Sequence, residues 1–300
     1  PPRSTLFPYT TLFRSANDAT PTGKDSVKAD EPAPDVKKPS DSSPQPLSIY
    51  WKDGVRMESA DKSVRFEIGG RVMMDAMWIS ESDNMTAAIN DVDRVGIRRA
   101  RICLQGAFNQ TTQFKSEFDF AGGSARLADM FFLFEKLPSI GNLRIGHQKE
   151  PFSIEELTSS NNITFIERAS VNAFSPARNL GASIFNTAME EQMTWAIGIF
   201  RDTGDFGTNS DRSNSITGRA TLLPVYRDQG ETLFHIGLSI NKRYIDNWVS
   251  FYSRPENGWT SRYVDTLSLP SDGALSVGFE AAGVWGDRKS TRLNSSHGKL

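Results

Sequence analysis

The chain has 300 residues, with 34 Lys and Arg against 36 Asp and Glu, and a single cysteine. This balance gives no reason to expect binding to nucleic acid through bulk charge, and one cysteine excludes an intramolecular disulfide. No run of 18 apolar residues occurs, so we expect no transmembrane helix. A β-barrel with a polar interior stays open as a fold, because its strands need apolar side chains on one face only.

Two terminal segments differ in sequence pattern from the residues beside them. Thr5–Ser15 and Asp287–His297 resemble translated adapter sequence from short-read DNA libraries, so we set residues 1–15 and 287–300 apart from the fold. Without them the chain has 28 basic and 35 acidic residues, a net charge of −7. We expect neither segment to pack on the domain, and any preference for anions to come from a few placed basic side chains.

The next segment, 16–46, is rich in Pro, Ser, Asp and Lys and has almost no large apolar residue. It cannot bury enough apolar surface to offset the entropy of ordering. We therefore predict a disordered linker over 16–46, followed by one domain over 47–286.

From Leu47 onward, apolar and polar residues alternate in runs that are separated by turn-forming residues, which predicts β-strands. In the clearest run, Ser63–Ile79, Phe66 and Ile68 share one face and Arg71 lies on the other. This run is longer than the five or six residues that are typical of a strand, and it fits a tilted strand that crosses a bilayer. A soluble β-sandwich that binds carbohydrate is the alternative fold, although its strands would be shorter.

Ten further runs share the alternation, which gives about eleven predicted strands. They are Arg94–Phe108, Gln113–Phe120, Ala128–Phe134, Leu143–Lys149, Ala182–Thr187, Met193–Phe200, Ser215–Pro224, Thr232–Tyr244, Val249–Ser253 and Leu275–Trp285. Some spacers are short, such as Asn109–Thr112, and others are long and polar, such as Arg201–Asn214. Short turns at one rim and long loops at the other are typical of outer-membrane barrels.

One stretch, Glu150–Ala182, interrupts this rhythm with mixed helix and loop features. A segment of this length without a strand pattern is usually functional. We predict that it leaves the wall after Leu143–Lys149, folds into the interior of an antiparallel barrel and narrows the pore.

The chain resembles the phosphate-selective porins O and P in four stretches that occur in the same order and spacing. These are IGGRVMMDAMW (Ile68–Trp78), VGIRRARICLQGAF (Val95–Phe108), LRIGHQKEPFSIEELTSSNNITFIER (Leu143–Arg168) and YSRPE (Tyr252–Glu256). The resemblance implies a homotrimer of sixteen-stranded barrels in the bacterial outer membrane. Each barrel would carry an anion pathway that is narrowed by an inward-folded loop, and about eleven strands would form only part of one barrel.

The resemblance also implies that basic side chains line the pathway. The candidate residues here are Arg71, Arg99, Arg101, Arg168 and Arg254, with Asp129 at an acidic position that would hold the basic groups in place. Arginine suits oxyanions because its planar guanidinium can donate two parallel hydrogen bonds. Each of these arginines could instead pair with a carboxylate and only rigidify the barrel.

The chain departs from the family at several positions. Glu156 and either Asn161 or Asn162 stand where lysines of the constriction are expected, and Ser250 and Tyr252 stand where arginines are expected. The resemblance therefore implies passive diffusion of anions, phosphate or polyphosphate, with a weakened oxyanion site. A general solute porin with little phosphate preference is the alternative.

Catalytic and metal-binding motifs are not found. The histidines His147, His235 and His297 are scattered along the chain. We therefore expect no enzymatic activity, no cofactor and no metal. The expected partners are inorganic anions, outer-membrane lipid and further copies of the chain, without nucleic acid.

Overall fold

A computed structural model describes residues 46–52, 54–80, 91–204, 206, 213–254, 257–286, 288–289 and 293–299, the last two ranges as main chain only. Thr5–Ser15 and nearly all of the predicted linker lie outside these residues. No helix in the described ranges is long and apolar enough to cross a membrane.

Among the residues described, fourteen strands form one antiparallel sheet, and two further strands form a small hairpin. The strands are β1 (Leu47–Trp51), β2 (Val55–Ser59), β3 (Val64–Met77), β4 (Arg94–Phe108), β5 (Thr112–Asp119), β6 (Arg126–Leu137), β7 (Gly141–Lys149), β8 (Arg178–Ala188), β9 (Met193–Arg201), β10 (Asn214–Arg227), β11 (Thr232–Val249), β12 (Tyr252–Ser253), β13 (Val264–Asp265), β14 (Leu269–Trp285), β15 (Arg288–Lys289) and β16 (Leu293–Lys299). The helix α1 (Ile154–Leu157) and two 3-10 turns, Ser170–Phe174 and Asp228–Gly230, complete the described elements.

The sheet is a meander in which each strand from β1 to β11 pairs with the next one, and β14 follows β11. This order confirms the predicted barrel-type topology, and it differs from the crossed connections of a sandwich. The pairings of the described residues do not join β1 to the other edge, so the sheet is not closed.

The two faces of the sheet differ in polarity, as the alternation predicted. On β3, Val72 and Met74 are 68% and 69% exposed on the outer face, whereas Glu67 on the inner face is buried. The outer face carries exposed apolar side chains on many strands, among them Ile102, Phe132, Ile145, Ile199, Leu238, Ile240 and Phe279. The inner face carries buried polar side chains, among them Gln113, Glu117, Thr217, Ser239, Asn241 and Glu280.

The connections are short at one rim and long at the other. β4 and β5 are joined by a turn in which Asn109 and Gln110 have positive φ values of 52° and 58°. Positive φ at both central residues matches the right-handed twist of a hairpin, and asparagine tolerates it better than most residues. The connections 150–177 and 250–268 lie at the opposite rim, because strand direction alternates along the meander.

The sheet curls around the connection from β7 to β8, which we call the inner loop (150–177). Phe152 and Ile154 of this loop are fully buried. The loop hydrogen-bonds β14 through Ile154 and β3 through Ser160. It therefore lies on the concave face, as predicted, although it ends before Arg178 because β8 begins there and not near residue 182.

Residues from distant connections also meet across the long-loop rim. Ser261, which follows β12, donates its main-chain N–H and its hydroxyl to Asp91 at 2.9 Å each. The indole of Trp259 lies beside Gly96 of β4. These contacts join parts of the chain that are 163 and 170 residues apart and show that the sheet is strongly curved.

Two sequence predictions were wrong, and two strands were missed. Val249–Ser253 is not a barrel strand, because Val249 ends β11 and Tyr252–Ser253 pairs with β13 in the separate hairpin. The short strands β1 and β2 were not predicted as strands. The described parts of the segment Asp287–His297, residues 288–289 and 293–297, do pack on the sheet, because β15 and β16 pair with β14. A strand edge offers unpaired main-chain N–H and C=O groups, so it can bind a segment whatever its side chains are.

Candidate functional site

The inner loop is attached to the wall at its first residue. Glu150 is fully buried. Its carboxylate accepts hydrogen bonds from the side chains of Asn179 at 2.6 Å, Ser215 at 2.9 Å and Asn241 at 3.0 Å, and from the hydroxyl of Thr217. A buried carboxylate is stable only with such donors. These four side chains come from β8, β10 and β11, so the start of the loop is fixed to three strands.

A second buried carboxylate holds the loop four residues later. Glu280 of β14 accepts the main-chain N–H of Ile154 at 2.6 Å. Its other oxygen lies 2.9 Å from Nε2 of His235 and accepts a hydrogen bond from Arg219. All of these side chains are buried.

A third carboxylate, Glu156, stabilises the loop from within. Glu156 lies 3.3 Å from Nζ of Lys149 and 3.6 Å from Nε of Arg168. Its Oε2 also accepts a hydrogen bond from Nδ2 of Asn172 at 2.9 Å. Burial disfavours the charged carboxylate, but the positive charges of Lys149, Arg168 and Arg178 outweigh burial and lower the pKa of Glu156.

Arg168 is mainly a structural residue of the loop. Its guanidinium donates to the main-chain carbonyls of Glu155 at 2.9 Å and Thr158 at 2.8 Å. These are C=O groups near the end of the short helix α1, where helix carbonyls lack partners within the helix. Arg168 thus belongs to the charged group, but its donors are largely engaged by the backbone.

The far side of the loop meets the first strands of the wall. Arg71 of β3 donates to the hydroxyl of Ser160 at 2.8 Å and to the side-chain carbonyl of Asn161. Arg71 also lies 3.7 Å from Glu117. The inner loop therefore spans the interior from β14 to β3.

Beside this contact, Arg101 links two carboxylates of β5. Arg101 lies 2.7 Å from both Glu117 and Asp119. The cross-strand register places Arg101 opposite Asp119 and opposite Arg71. Two arginines that face each other repel, so Glu117, which contacts both of them, stabilises the pair.

The ion pairs continue along the wall to β6 and β8. Lys115 lies 2.9 Å from Glu117 and 2.9 Å from Asp129. Arg178, at the start of β8, lies 2.8 Å from the other oxygen of Asp129. Asp129 therefore contacts two basic groups, one with each carboxylate oxygen.

Two consecutive arginines of β4 both turn inward. The register between β3 and β4 shifts between Met73 and Met74, and Arg98 is the extra residue of the resulting β-bulge. In a regular strand, consecutive side chains point to opposite faces, and a bulge removes this restriction locally. As a result, Arg98 and Arg99 both reach Oε1 of Glu167, at 2.5 Å and 2.6 Å.

Five of the six predicted site residues lie in this network on the inner face, and one does not. The five are Arg71, Arg99, Arg101, Asp129 and Arg168. Arg254 is exposed just after β12, and among the described residues its guanidinium has no ion pair. The six candidates did not include the other eight members of the network: Arg98, Lys115, Glu117, Asp119, Lys149, Glu156, Glu167 and Arg178. The alternation of β5 did place Lys115 on the inner face, so that residue could have been proposed.

The network as a whole carries an excess of positive charge. In the described residues its three groups of ion pairs contain eight basic side chains and five carboxylates, and with the buried Glu150 and the Arg219–Glu280 pair the charged groups that hold the loop leave two positive charges in excess. The members are Arg71, Arg98, Arg99, Arg101, Lys115, Lys149, Arg168 and Arg178 with Glu117, Asp119, Asp129, Glu156 and Glu167. The whole chain has a formal charge of −2. The interior around the loop is therefore locally positive in a chain that is acidic overall.

A curled antiparallel meander with an apolar outer face, a polar inner face and a charged loop held inside is the architecture of a β-barrel pore. The chain belongs to the family "Phosphate-selective porin O and P", whose model matches residues 66–266. It is 24% identical over 218 residues to Porin O of Pseudomonas aeruginosa, across 69% of this chain and 48% of that protein. The chain thus spans about half the length of that relative.

Proposed function

We propose that the full-length protein is a porin of the bacterial outer membrane through which small anions, including phosphate-like oxyanions, diffuse passively. The observation that supports this most directly is the excess of two positive charges around the inner loop. An ion that enters a narrow passage loses part of its hydration, and fixed charges of opposite sign replace it. A permeating ion therefore responds to these groups, whereas surface charges are screened within about 8–10 Å.

The outer face supports the membrane location. Apolar side chains such as Val72, Ile199 and Leu238 are exposed there on successive parts of the wall. Such a surface suits contact with lipid. Open sheet edges are not tolerated in a bilayer, so the full-length protein supplies further wall. We propose a homotrimer in the lipid of the outer membrane on the basis of the family resemblance.

A general solute porin is the second candidate, and the ion pairs favour it. Arg71, Arg99 and Arg101 all contact carboxylates, and Glu156 and either Asn161 or Asn162 stand where the resemblance to the family implies lysines. A paired arginine attracts an anion less strongly than a free one. We therefore propose that the anion preference is moderate and that phosphate blocks chloride current only weakly.

Planar-bilayer recordings of the full-length protein test the proposal. In a KCl gradient, the reversal potential should have the sign of an anion-selective pore. The double variant Arg71→Gln and Arg101→Gln should lower the ratio of anion to cation permeability, because it removes two positive charges from the interior. The matched control, Arg201→Gln with Arg227→Gln, removes two exposed arginines at strand ends and should leave this ratio nearly unchanged.

Each outcome separates the candidates. A cation-selective reversal potential in the unmutated protein would overturn the anion pore. Weak selectivity of either sign, without any block by phosphate, would favour the general solute porin.

A further inference from the structure

The Arg98–Arg99 pair has more hydrogen-bond donors than its partner uses. Both guanidinium groups contact the same oxygen of Glu167, Oε1. Among the described residues, no group donates to Oε2 of Glu167. Nε of Arg98 is buried and has no hydrogen-bond partner there. This pair of arginines could thus bind a ligand that offers more oxygen atoms than the one that Glu167 presents.

Glu167 also differs from carboxylates on the strands in the secondary structure of the segment that carries it. Glu117 and Asp129 lie on strands that are held by main-chain ladders on both sides. Glu167 lies between α1 and the 3-10 turn at Ser170–Phe174, in a stretch without regular structure. It can therefore move away from the arginines without breaking hydrogen bonds of the sheet.

The pair lies on the side of the network that is nearest to the long loops. β4 runs from the long-loop rim to the short-turn rim, so Arg98 and Arg99 precede Arg101 along the interior. Gly258, in the connection from β11 to β14, lies against the guanidinium of Arg98. A solute that enters from the long-loop side would meet this pair before it meets Arg71 and Arg101.

We propose that Glu167 is a built-in occupant of an oxyanion site formed by Arg98 and Arg99, and that a permeating phosphate-like oxyanion displaces its carboxylate. This inference rests on the proposed anion pore and deepens it. A tetrahedral oxyanion has three or four acceptor oxygens and can engage both guanidinium groups and the free Nε of Arg98, whereas chloride offers a single centre. The displaced carboxylate stays tethered nearby and competes for the site, so it weakens binding and speeds the release that conduction requires.

The test is the block of chloride current by inorganic phosphate in planar bilayers with the full-length protein. Glu167→Gln removes the competing charge and keeps the side-chain shape. Because a site that is mostly occupied by its own competitor binds a ligand in proportion to the fraction that is free, we expect the half-blocking phosphate concentration to fall by about three- to tenfold. Adding Arg98→Gln to this variant should raise it again.

Two further variants control the test. Asp265→Asn removes one negative charge from the exposed hairpin, where Asp265 pairs with Arg262, and should leave the half-blocking concentration unchanged. Glu167→Ser removes the same charge as Glu167→Gln with a smaller side chain and should reproduce the shift, so that the result does not depend on one variant folding.

The results distinguish the two levels of the proposal. An anion-selective pore in which both Glu167 variants leave phosphate block unchanged, or weaken it, would overturn the role of Glu167 and leave the anion pore standing. A cation-selective unmutated protein would overturn the anion pore itself.

Discussion

The carboxylate of Glu280 accepts the main-chain N–H of Ile154 at 2.6 Å, across 126 residues of chain. This bond attaches the inner loop to β14. In the meander, β14 is separated by four strands from β7, after which the loop begins. The same carboxylate engages Arg219 and His235 on β10 and β11. Together with the four donors around Glu150, it fixes the start of the loop, whereas the later part of the loop reaches the arginines of β3 and β4.

Replacing Glu280 should destabilise the protein strongly. In Glu280→Ala, Arg219 stays buried without its carboxylate, and the N–H of Ile154 loses its acceptor. Breaking one side of a buried ion pair costs about 3–5 kcal/mol, so we expect the free energy of unfolding of the full-length protein to fall by about that amount. Urea unfolding of detergent-solubilised protein measures it. Glu190→Ala, in an exposed turn, should change it by less than about 0.5 kcal/mol. An effect of Glu280→Ala that is as small as this control would contradict the anchoring role.

The bulge at Arg98 can be tested by chemical labelling. In a background with Cys103→Ser, we expect the variants Arg98→Cys and Arg99→Cys both to react quickly with a charged, water-soluble thiol reagent. Both positions face the aqueous interior. At a regular stretch of the same strand, Ala100→Cys should react slowly and Arg101→Cys quickly, because alternate positions face opposite sides. If the labelling rates at positions 98 and 99 differ as much as those at positions 100 and 101, β4 is regular at Arg98 and the bulge is contradicted.

The stability that Glu156 provides should depend on pH. The pKa of its carboxyl is lowered in the folded protein from an ordinary value of about 4.5. Its contribution should therefore be nearly complete above about pH 5.5, decline as the pH falls through about 4.5, and disappear below the lowered pKa of the folded state. The measurement is the difference in unfolding free energy between the unmutated protein and Glu156→Gln from pH 3 to 7. We expect this difference to be constant above about pH 5.5 and to shrink in acid. A difference that grows in acid would mean that the pKa of Glu156 is raised instead.

The alternation of the sequence predicted which side of the wall most residues face. Arg71, Arg101 and Asp129 were assigned to the inner face, and all three carry ion pairs there. This worked because the side-chain period of a strand is two, so the face follows from position alone. Arg98 was not assigned to the site because strict alternation places it opposite to Arg99, and a bulge is set by the partner strand and not by the residues beside it.

The role of Arg168 also depended on structure that the sequence does not show. The motif around it suggested a residue that faces the pathway, but its guanidinium mainly binds the carbonyls of Glu155 and Thr158. Arg254 illustrates the same limit, because it was proposed from a short motif and lies exposed beyond β12. In an irregular segment, spacing carries no information about direction, so the contacts of such residues depend on the folded loop.

By itself, the sequence determined that this chain forms long, two-faced antiparallel strands with one long irregular segment among them, and its motifs pointed to one porin family. These properties follow from local periodicity and composition, which act within a few residues. Only the tertiary structure decided which polar and charged groups meet. The pairs Glu280–Ile154, Arg71–Ser160 and Arg99–Glu167 join residues between 68 and 126 positions apart. Such pairs form only when the sheet curls around the inner loop. The polar and charged groups are then buried, and burial without a partner would cost free energy.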